Sequence, residues 1–167
     1  MPITPFHFGP GALLQSVAPR HVSFLSFCAA NVLIDLESLY NLVYRQHPVH
    51  AFFHTYLGAT LVIAATGLLF LACQWFARRF WLPNLLGWRS LMHKQVLVGA
   101  ALGAYTHAAL DSVMHQDIQP LWPFSTSNAL LGVISLGVLH TACLALGLLG
   151  LLIVATRWFV AGEEKVG

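Results

Sequence analysis

Long apolar stretches dominate this chain, and they constrain its fold more than any other feature of the sequence. A helix needs about 20 mostly apolar residues to cross the hydrocarbon core of a lipid bilayer. Backbone in lipid must satisfy its own hydrogen bonds, so stretches of this length are expected to be helical. Four stretches qualify as predicted spans: 21–44, 51–76, 91–114 and 129–160.

A shorter apolar piece, residues 4–17, precedes the first span and cannot cross a bilayer alone. Gly9, Pro10 and Gly11 interrupt it. Proline is tolerated in the first turn of a helix, so we expect a short helix from near Pro10, half-buried or re-entrant. The expected fold is all-α: a polytopic membrane helical bundle of four transmembrane helices plus this short N-terminal helix, forming a single integral membrane domain over residues 1–167.

The composition favours a membrane protein over a soluble one. Hydrophobic residues make up 57% of the chain and charged residues only 8%, whereas soluble domains carry about 25% charged residues. This excludes a soluble enzyme and a nucleic-acid-binding module. The net charge of +2 is too small to indicate a polyanionic partner, so membrane lipids are the expected partners and no nucleic acid is.

Basic residues predict the orientation of the bundle, because cytoplasmic connections carry an excess of Lys and Arg. The connection 115–128 has neither residue, whereas four basic residues lie around the connection between the second and third spans. These are Arg78, Arg79, Arg89 and Lys94. We therefore expect a multi-pass protein of the inner membrane with a cytoplasmic C-terminus and with the loop near Asp117 outside.

Ionisable residues within the spans are the strongest indication of function. Each costs about 2.5–3.5 kcal/mol on insertion scales and is a functional hypothesis by default. His50 and His54 are four residues apart, which would place them on one helix face, and His107 and Asp111 have the same spacing. In the predicted orientation the ionisable residues of three spans share one outer level. They are Asp35, Glu37, His50, His54, His107 and Asp111.

This mixture of imidazole and carboxylate at one depth favours a divalent metal site. The two ligand types suit zinc first, with iron or manganese as alternatives, and two carboxylates could bridge a pair of ions. A bound cation also offsets the cost of burying charge. We predict one or two ions. His115 continues the face of His107, and the sequence leaves open whether His115, Asp117 or His140 joins the site.

Four short motifs follow one another in a recognisable order. They are TPFHFGPG at 4–11, VLIDLE at 32–37, HAFFHT at 50–55 and GAYTHAALD at 103–111. In this order they resemble the motifs of the YdjM-like family of bacterial membrane-bound, metal-dependent hydrolases. The resemblance implies a hydrolase with a metal site, and it alone implicates His7. The implied ligands are His7, Asp35, His50, His54, His107 and Asp111.

The leading functional hypothesis is a metal-dependent hydrolase that opens to the outer half of the bilayer. Glu37 is the predicted general base, because it neighbours a ligand without sharing its helical face. A lipid or lipid-phosphate ester would suit a site that lipids enter sideways. The alternatives are a metal or proton transporter, which needs a polar path towards the cytoplasm, a haem-binding redox subunit, and a non-catalytic membrane subunit.

Overall fold

The computed structural model describes residues 5–163, with side chains through residue 160. Within this range the chain forms helices and no β-strand, which confirms the all-α class. Short 3-10 helices lie at Pro5–His7, Phe52–His54 and Leu85–Ser90. The α-helices are α1 (Phe8–Val17), α2 (Phe24–Val43), α3 (Tyr56–Ala77), α4 (His93–Met114) and α5 (Leu136–Glu163).

Of the helices described, three are long and apolar enough to cross a membrane: α3, α4 and the segment Leu136–Val160 of α5. This agrees with a membrane protein. Helix α2 has 20 residues but is not among the three, because polar residues such as Asn31, Asp35 and Glu37 lower its mean hydropathy. A fourth crossing by α2 and a re-entrant path for α1 stay predictions.

The start of α3 differs from the predicted span 51–76. Thr55 is extended, and its Oγ1 accepts a hydrogen bond from the Gly58 N–H at 2.9 Å. A side-chain oxygen that satisfies a free N–H is what makes threonine a favourable N-cap, so α3 begins only at Tyr56. His50 therefore lies in a loop and His54 ends a 3-10 turn, and the prediction that they share one helix face is wrong.

Helix α5 also begins later than the predicted start at residue 129. Residues 129–134 form turns and a bend, and α5 begins at Leu136. Gly132 adopts a φ of 69°, a left-handed conformation that glycine reaches without steric cost. Its N–H donates to the Val113 carbonyl oxygen at 3.0 Å, so this segment folds back over the end of α4.

Helices α2, α3 and α4 pack around one apolar core. Small residues at such interfaces let helix backbones approach closely within a membrane. A Cβ atom on Gly99 would overlap the backbone carbonyl oxygen of Ser23, and one on Gly103 would overlap that of Phe27, so α4 lies directly against α2. The core consists of Ala30, Ile34, Ala59, Val62, Ala100 and Ala104.

Helix α1 packs along α5 in a parallel arrangement. Near its start Gly9 lies against the Cys143 backbone, and near its end the Ser16 carbonyl oxygen accepts a hydrogen bond from Arg157. Both helices therefore begin at the same end of the bundle. His7, directly before α1, is thereby brought to the end at which α4 finishes.

The outward faces of these helices are apolar. Exposed leucines and valines follow α5 along much of its length, and α2 presents a similar face. A contiguous exposed apolar surface of this kind is typical of a protein that contacts membrane. On α5 the exposed residues include Leu144, Leu148, Leu151, Leu152 and Val154, and on α2 they include Val32, Leu36 and Leu39.

Replacing Gly99 by alanine is expected to destabilise the fold, because the added methyl group meets backbone atoms of Ser23. Overpacking of this kind costs about 1–3 kcal/mol. The measurement is the midpoint of thermal unfolding of the full chain in detergent. Gly137→Ala is the matched control, since no described atom lies within 4 Å of its added Cβ. Equal midpoints for both variants would contradict the close packing of α2 and α4.

Candidate metal centre

Four ionisable side chains from three elements meet in one buried cluster, here called the inner set. Asp35 comes from the second half of α2, and His54 ends the 3-10 helix before α3. His107 and Asp111 occupy successive turns near the end of α4. Each residue offers a ligand atom, and these atoms all lie within 4.8 Å of one another. The inner set could therefore hold a metal ion.

The spacing within the inner set is that of metal ligands. His107 Nε2 lies 3.3 Å from both Asp35 Oδ1 and Asp111 Oδ2. His54 Nε2 lies 3.4 Å from Asp111 Oδ2 and 3.9 Å from Asp35 Oδ1. Neither Nε2 atom makes a hydrogen bond to any described residue. Ligands about 2.0–2.1 Å from a tetrahedral zinc ion lie about 3.3–3.4 Å apart, so three of these four distances match such an ion and the one between His54 and Asp35 is longer.

A buried amide orients His107. Asn31 Nδ2 donates to the Phe27 carbonyl oxygen at 2.8 Å, so Asn31 Oδ1 is the atom that faces His107 Nδ1, at 2.9 Å. Nδ1 therefore carries the proton, and Nε2 presents its lone pair to the carboxylates. Histidine ligands usually donate from their second nitrogen in this way. Asn31 was not predicted as a site residue, although an amide four residues before Asp35 in an apolar helix was a usable signal in the sequence.

Glu37 holds the turn that carries His54. Its Oε1 accepts a hydrogen bond from the Phe52 N–H at 3.2 Å, and Oε2 accepts one from the Phe53 N–H at 2.7 Å. These N–H groups open the 3-10 helix Phe52–His54, where they have no partner within the helix. Both carboxylate oxygens are thus engaged by backbone. The geometry favours a positioning role, and the role of general base stays a prediction.

A second group of possible ligands, here called the outer set, lies beside the inner set and shares Asp111 with it. The outer set is His50, Asp111 and His115, whose ligand atoms lie within 4.8 Å of one another. The rings of His50 and His115 stack with centroids 4.0 Å apart. His115, which the sequence left open, thus joins His50. His140 stacks on Phe6 instead and, among the described residues, belongs to neither set.

Asp117 holds His50 in place. His50 Nδ1 donates to Asp117 Oδ1 at 2.9 Å, and Asp117 Oδ2 accepts the backbone N–H groups of Val49 and His50, each at 3.0 Å. Burial works to raise the pKa of Asp117, but these hydrogen bonds outweigh it and hold the pKa below its ordinary value. Asp117 is therefore an ionised carboxylate that fixes the orientation of the His50 ring.

His7 reaches the same end of the bundle. Its Nε2 lies 3.2 Å from Asp111 Oδ1, and its ring meets that of His107 edge-on with centroids 4.6 Å apart. Burial lowers the pKa of His7 to about 4, so its imidazole is neutral at physiological pH. In the part of the chain that the structure describes, His7 belongs to neither set. Its assignment as a ligand stays a prediction.

A cavity with both polar and apolar lining opens beside the outer set and is here called the His50 cavity. Its volume is about 490 Å³. Of the two sets, the outer one meets this cavity through His50, while the four inner side chains are at most 6% exposed. The lining residues are Pro48, His50, Ala51, Phe52, Thr55, Asp117, Gln119 and Trp122.

Comparison with known proteins identified no relative of this chain. No family model, no curated protein and no solved structure matches this chain. The resemblance to the YdjM-like family therefore stays a prediction that rests on the four motifs.

Replacing Asn31 by leucine is expected to weaken metal binding about 10- to 100-fold, the usual effect of losing the partner of a ligand. The variant leaves His107 Nδ1 without its acceptor. The measurement is a zinc titration of the chelator-treated protein in detergent. Ser38→Ala is the control, because Ser38 is buried on the same helix and its hydroxyl has no described partner. Equal affinities for both variants would contradict the role of Asn31.

Proposed function

We propose that this protein is a membrane-embedded, metal-dependent hydrolase that acts at the outer half of the bilayer. The inner set carries the proposal, because two imidazoles and two carboxylates lie buried together at the spacing of ligands. That spacing and donor set favour zinc, with iron or manganese as alternatives. When bound, such an ion is a Lewis acid that activates water at neutral pH.

The residues of the inner set have complementary tasks. Asp35 and Asp111 supply negative charge, which would be costly in an apolar bundle without a cation. His54 and His107 supply nitrogen ligands. Burial lowers the pKa of His54, which keeps its imidazole in the neutral form that binds metal. The set is thus arranged for a cation rather than for a network of ordinary hydrogen bonds.

The His50 cavity supports entry of a substrate from the outer end of the bundle. Its volume of about 490 Å³ falls within the range of about 300–1,000 Å³ that is usual for small-molecule sites. Polar groups of Asp117 and Gln119 line it together with the aromatic rings of Phe52 and Trp122. This combination suits a polar ester group attached to an apolar body.

A second cavity supports a lipid as the substrate. It has a volume of about 380 Å³, and apolar residues of the first 3-10 helix and of α1, α2 and α5 line it, including Phe6 and Phe8. These two residues flank His7 in sequence, and His7 Nε2 lies 3.2 Å from Asp111 Oδ1, so the apolar cavity is lined by chain neighbours of a residue that contacts the inner set. A lipid ester or lipid-phosphate ester has both a polar group and an acyl chain, which the two cavities would accommodate.

The packing beneath the inner set favours hydrolysis over transport. A path for ions needs polar groups that continue through the bundle. Here the apolar core lies between the inner set and the opposite end of α2, α3 and α4. The buried Thr66 hydroxyl within this region donates to the Val62 carbonyl oxygen of its own helix. The two carboxylates favour a small cation over haem, whose usual ligands do not include them.

The proposed orientation follows from the basic residues. With the connection between α3 and α4 in the cytoplasm, as its Lys and Arg content predicts, the inner set faces the outer side of the inner membrane. The C-terminus then lies in the cytoplasm. The His50 cavity would open to the same side as the headgroups of the outer leaflet.

Asp35→Asn is expected to remove both bound metal and hydrolysis, because it deletes one of two charges that compensate the cation. We expect a loss of at least about 100-fold in rate. The assay measures products released from liposomes that contain phospholipids and lipid-phosphate esters, with metal content determined on the same preparation. His93→Ala is the control, an exposed histidine at the opposite end of α4. Unchanged metal content in Asp35→Asn would reject the proposed centre.

Two substitutions of Glu37 separate positioning from proton transfer. Glutamine keeps an acceptor oxygen for the Phe53 N–H, whereas alanine releases the turn that carries His54. We therefore expect Glu37→Ala to weaken zinc binding about 10- to 100-fold and Glu37→Gln to retain most of the affinity. The measurements are zinc titration and hydrolysis rate. If both variants bound zinc like the wild type but were inactive, Glu37 would be the general base instead.

A further inference from the structure

We propose that the outer set is a second metal site, so that the protein holds a pair of cations bridged by Asp111. The inference rests on the proposed function in one respect, namely that the inner set binds the first ion. The outer set adds what the inner set lacks, which is contact with the His50 cavity. Its three members come from the loop before α3 and from the end of α4.

The hydrogen bond that His50 makes through Nδ1 orients its ring for metal binding. Because Nδ1 donates to Asp117, Nε2 is the nitrogen that remains to bind a cation. A carboxylate that accepts from the far side of a histidine ring is a common arrangement behind metal ligands. Asp117 also accepts two backbone N–H groups of the same loop, so ring and loop are held together. These hydrogen bonds are sufficient to explain the position of Asp117, without a direct role of its carboxylate in hydrolysis.

His115, the third member of the outer set, is also held in place. It caps α4, and its N–H donates to the Asp111 carbonyl oxygen at 2.9 Å, which ties the two residues together. Asn128 Nδ2 donates to the carbonyl oxygens of Ser112 and His115 at 2.8 and 3.4 Å. The backbone that carries His115 is therefore fixed, and its ring stacks against that of His50.

Asp111 can serve both sets. Its Oδ2 lies 3.3 Å from His107 Nε2 and 3.4 Å from His54 Nε2, whereas Oδ1 lies 3.2 Å from His7 Nε2 and makes no hydrogen bond in the described part of the chain. A bridging carboxylate binds one ion through each oxygen, and hydrolytic two-metal sites hold their ions about 3.5–4 Å apart. Asp35, Asp111 and Asp117 together place three negative charges around the pair.

The position of the outer set indicates its task. The inner side chains are sealed from the His50 cavity, but His50 lines it. A cation in the outer set would therefore be the one that a substrate oxygen can reach. The inner cation would hold Asp111 and the helices in place, and the outer cation would contact the ester or phosphate-ester group of the substrate.

The test is the number of ions that each variant binds. The full chain is purified in detergent, treated with chelator and titrated with zinc, and the ions per chain are counted by elemental analysis after desalting. We expect two ions for the wild type and one for His115→Ala, which keeps the inner set complete. One retained ion also shows that this variant still folds. His93→Ala, the exposed control, should bind two.

A second measurement uses the wild type alone, in case His115→Ala does not fold. Manganese-loaded protein should give the electron paramagnetic resonance signal of an exchange-coupled pair, since Asp111 would bridge the two ions. One ion per chain, or an uncoupled signal, would overturn the second site and leave the proposed function standing. Two ions in His115→Ala would also overturn it. A wild type that binds no ion would overturn both proposals.

Discussion

Two buried carboxylates in an apolar helical bundle are the constraint on which the rest of this structure depends. An ionised carboxylate in such surroundings is costly unless it is paired, and Asp35 and Asp111 are 6% and 3% exposed. The elements around them bring the nitrogen atoms of two imidazoles close. The Asn31 amide of α2 orients His107. The Glu37 carboxylate holds the 3-10 turn that positions His54. These supports hold both imidazoles beside the carboxylates, where a cation that compensated the negative charge could also bind their nitrogen atoms.

Close helix packing makes this arrangement achievable. Small residues along α4 let its backbone lie against that of α2, so that Asp35 and His107 can approach to 3.3 Å. Larger side chains between these helices would separate the two halves of the inner set. Helices α1 and α5 also pack closely through a small residue, since Gly9 lies against the Cys143 backbone. This packing positions His7, which directly precedes α1. The geometry of the site therefore depends on backbone contacts between helices that lie some distance from the site.

Much of the helical framework could be predicted from the sequence, because about 20 apolar residues leave few alternatives to a helix. The shared depth of Asp35, His107 and Asp111 could also be predicted, since the rise per residue of a helix relates position to depth. The loop residues could not. The spacing of His50 and His54 suggested one helix face, but the N-cap at Thr55 starts α3 after both. The contacts of Glu37, like the stacking of His115 on His50, depend on how loops fold over the helix ends, and local patterns do not encode this.

The apolar core beneath the inner set has a consequence for how the protein acquires its ions. Ala30, Ile34 and their neighbours close the bundle on that side, so a cation that bound to the inner set would have to come from the end of the bundle at which the His50 cavity opens. Metallation would then follow insertion into the membrane and would draw on the metal supply of the compartment at that end.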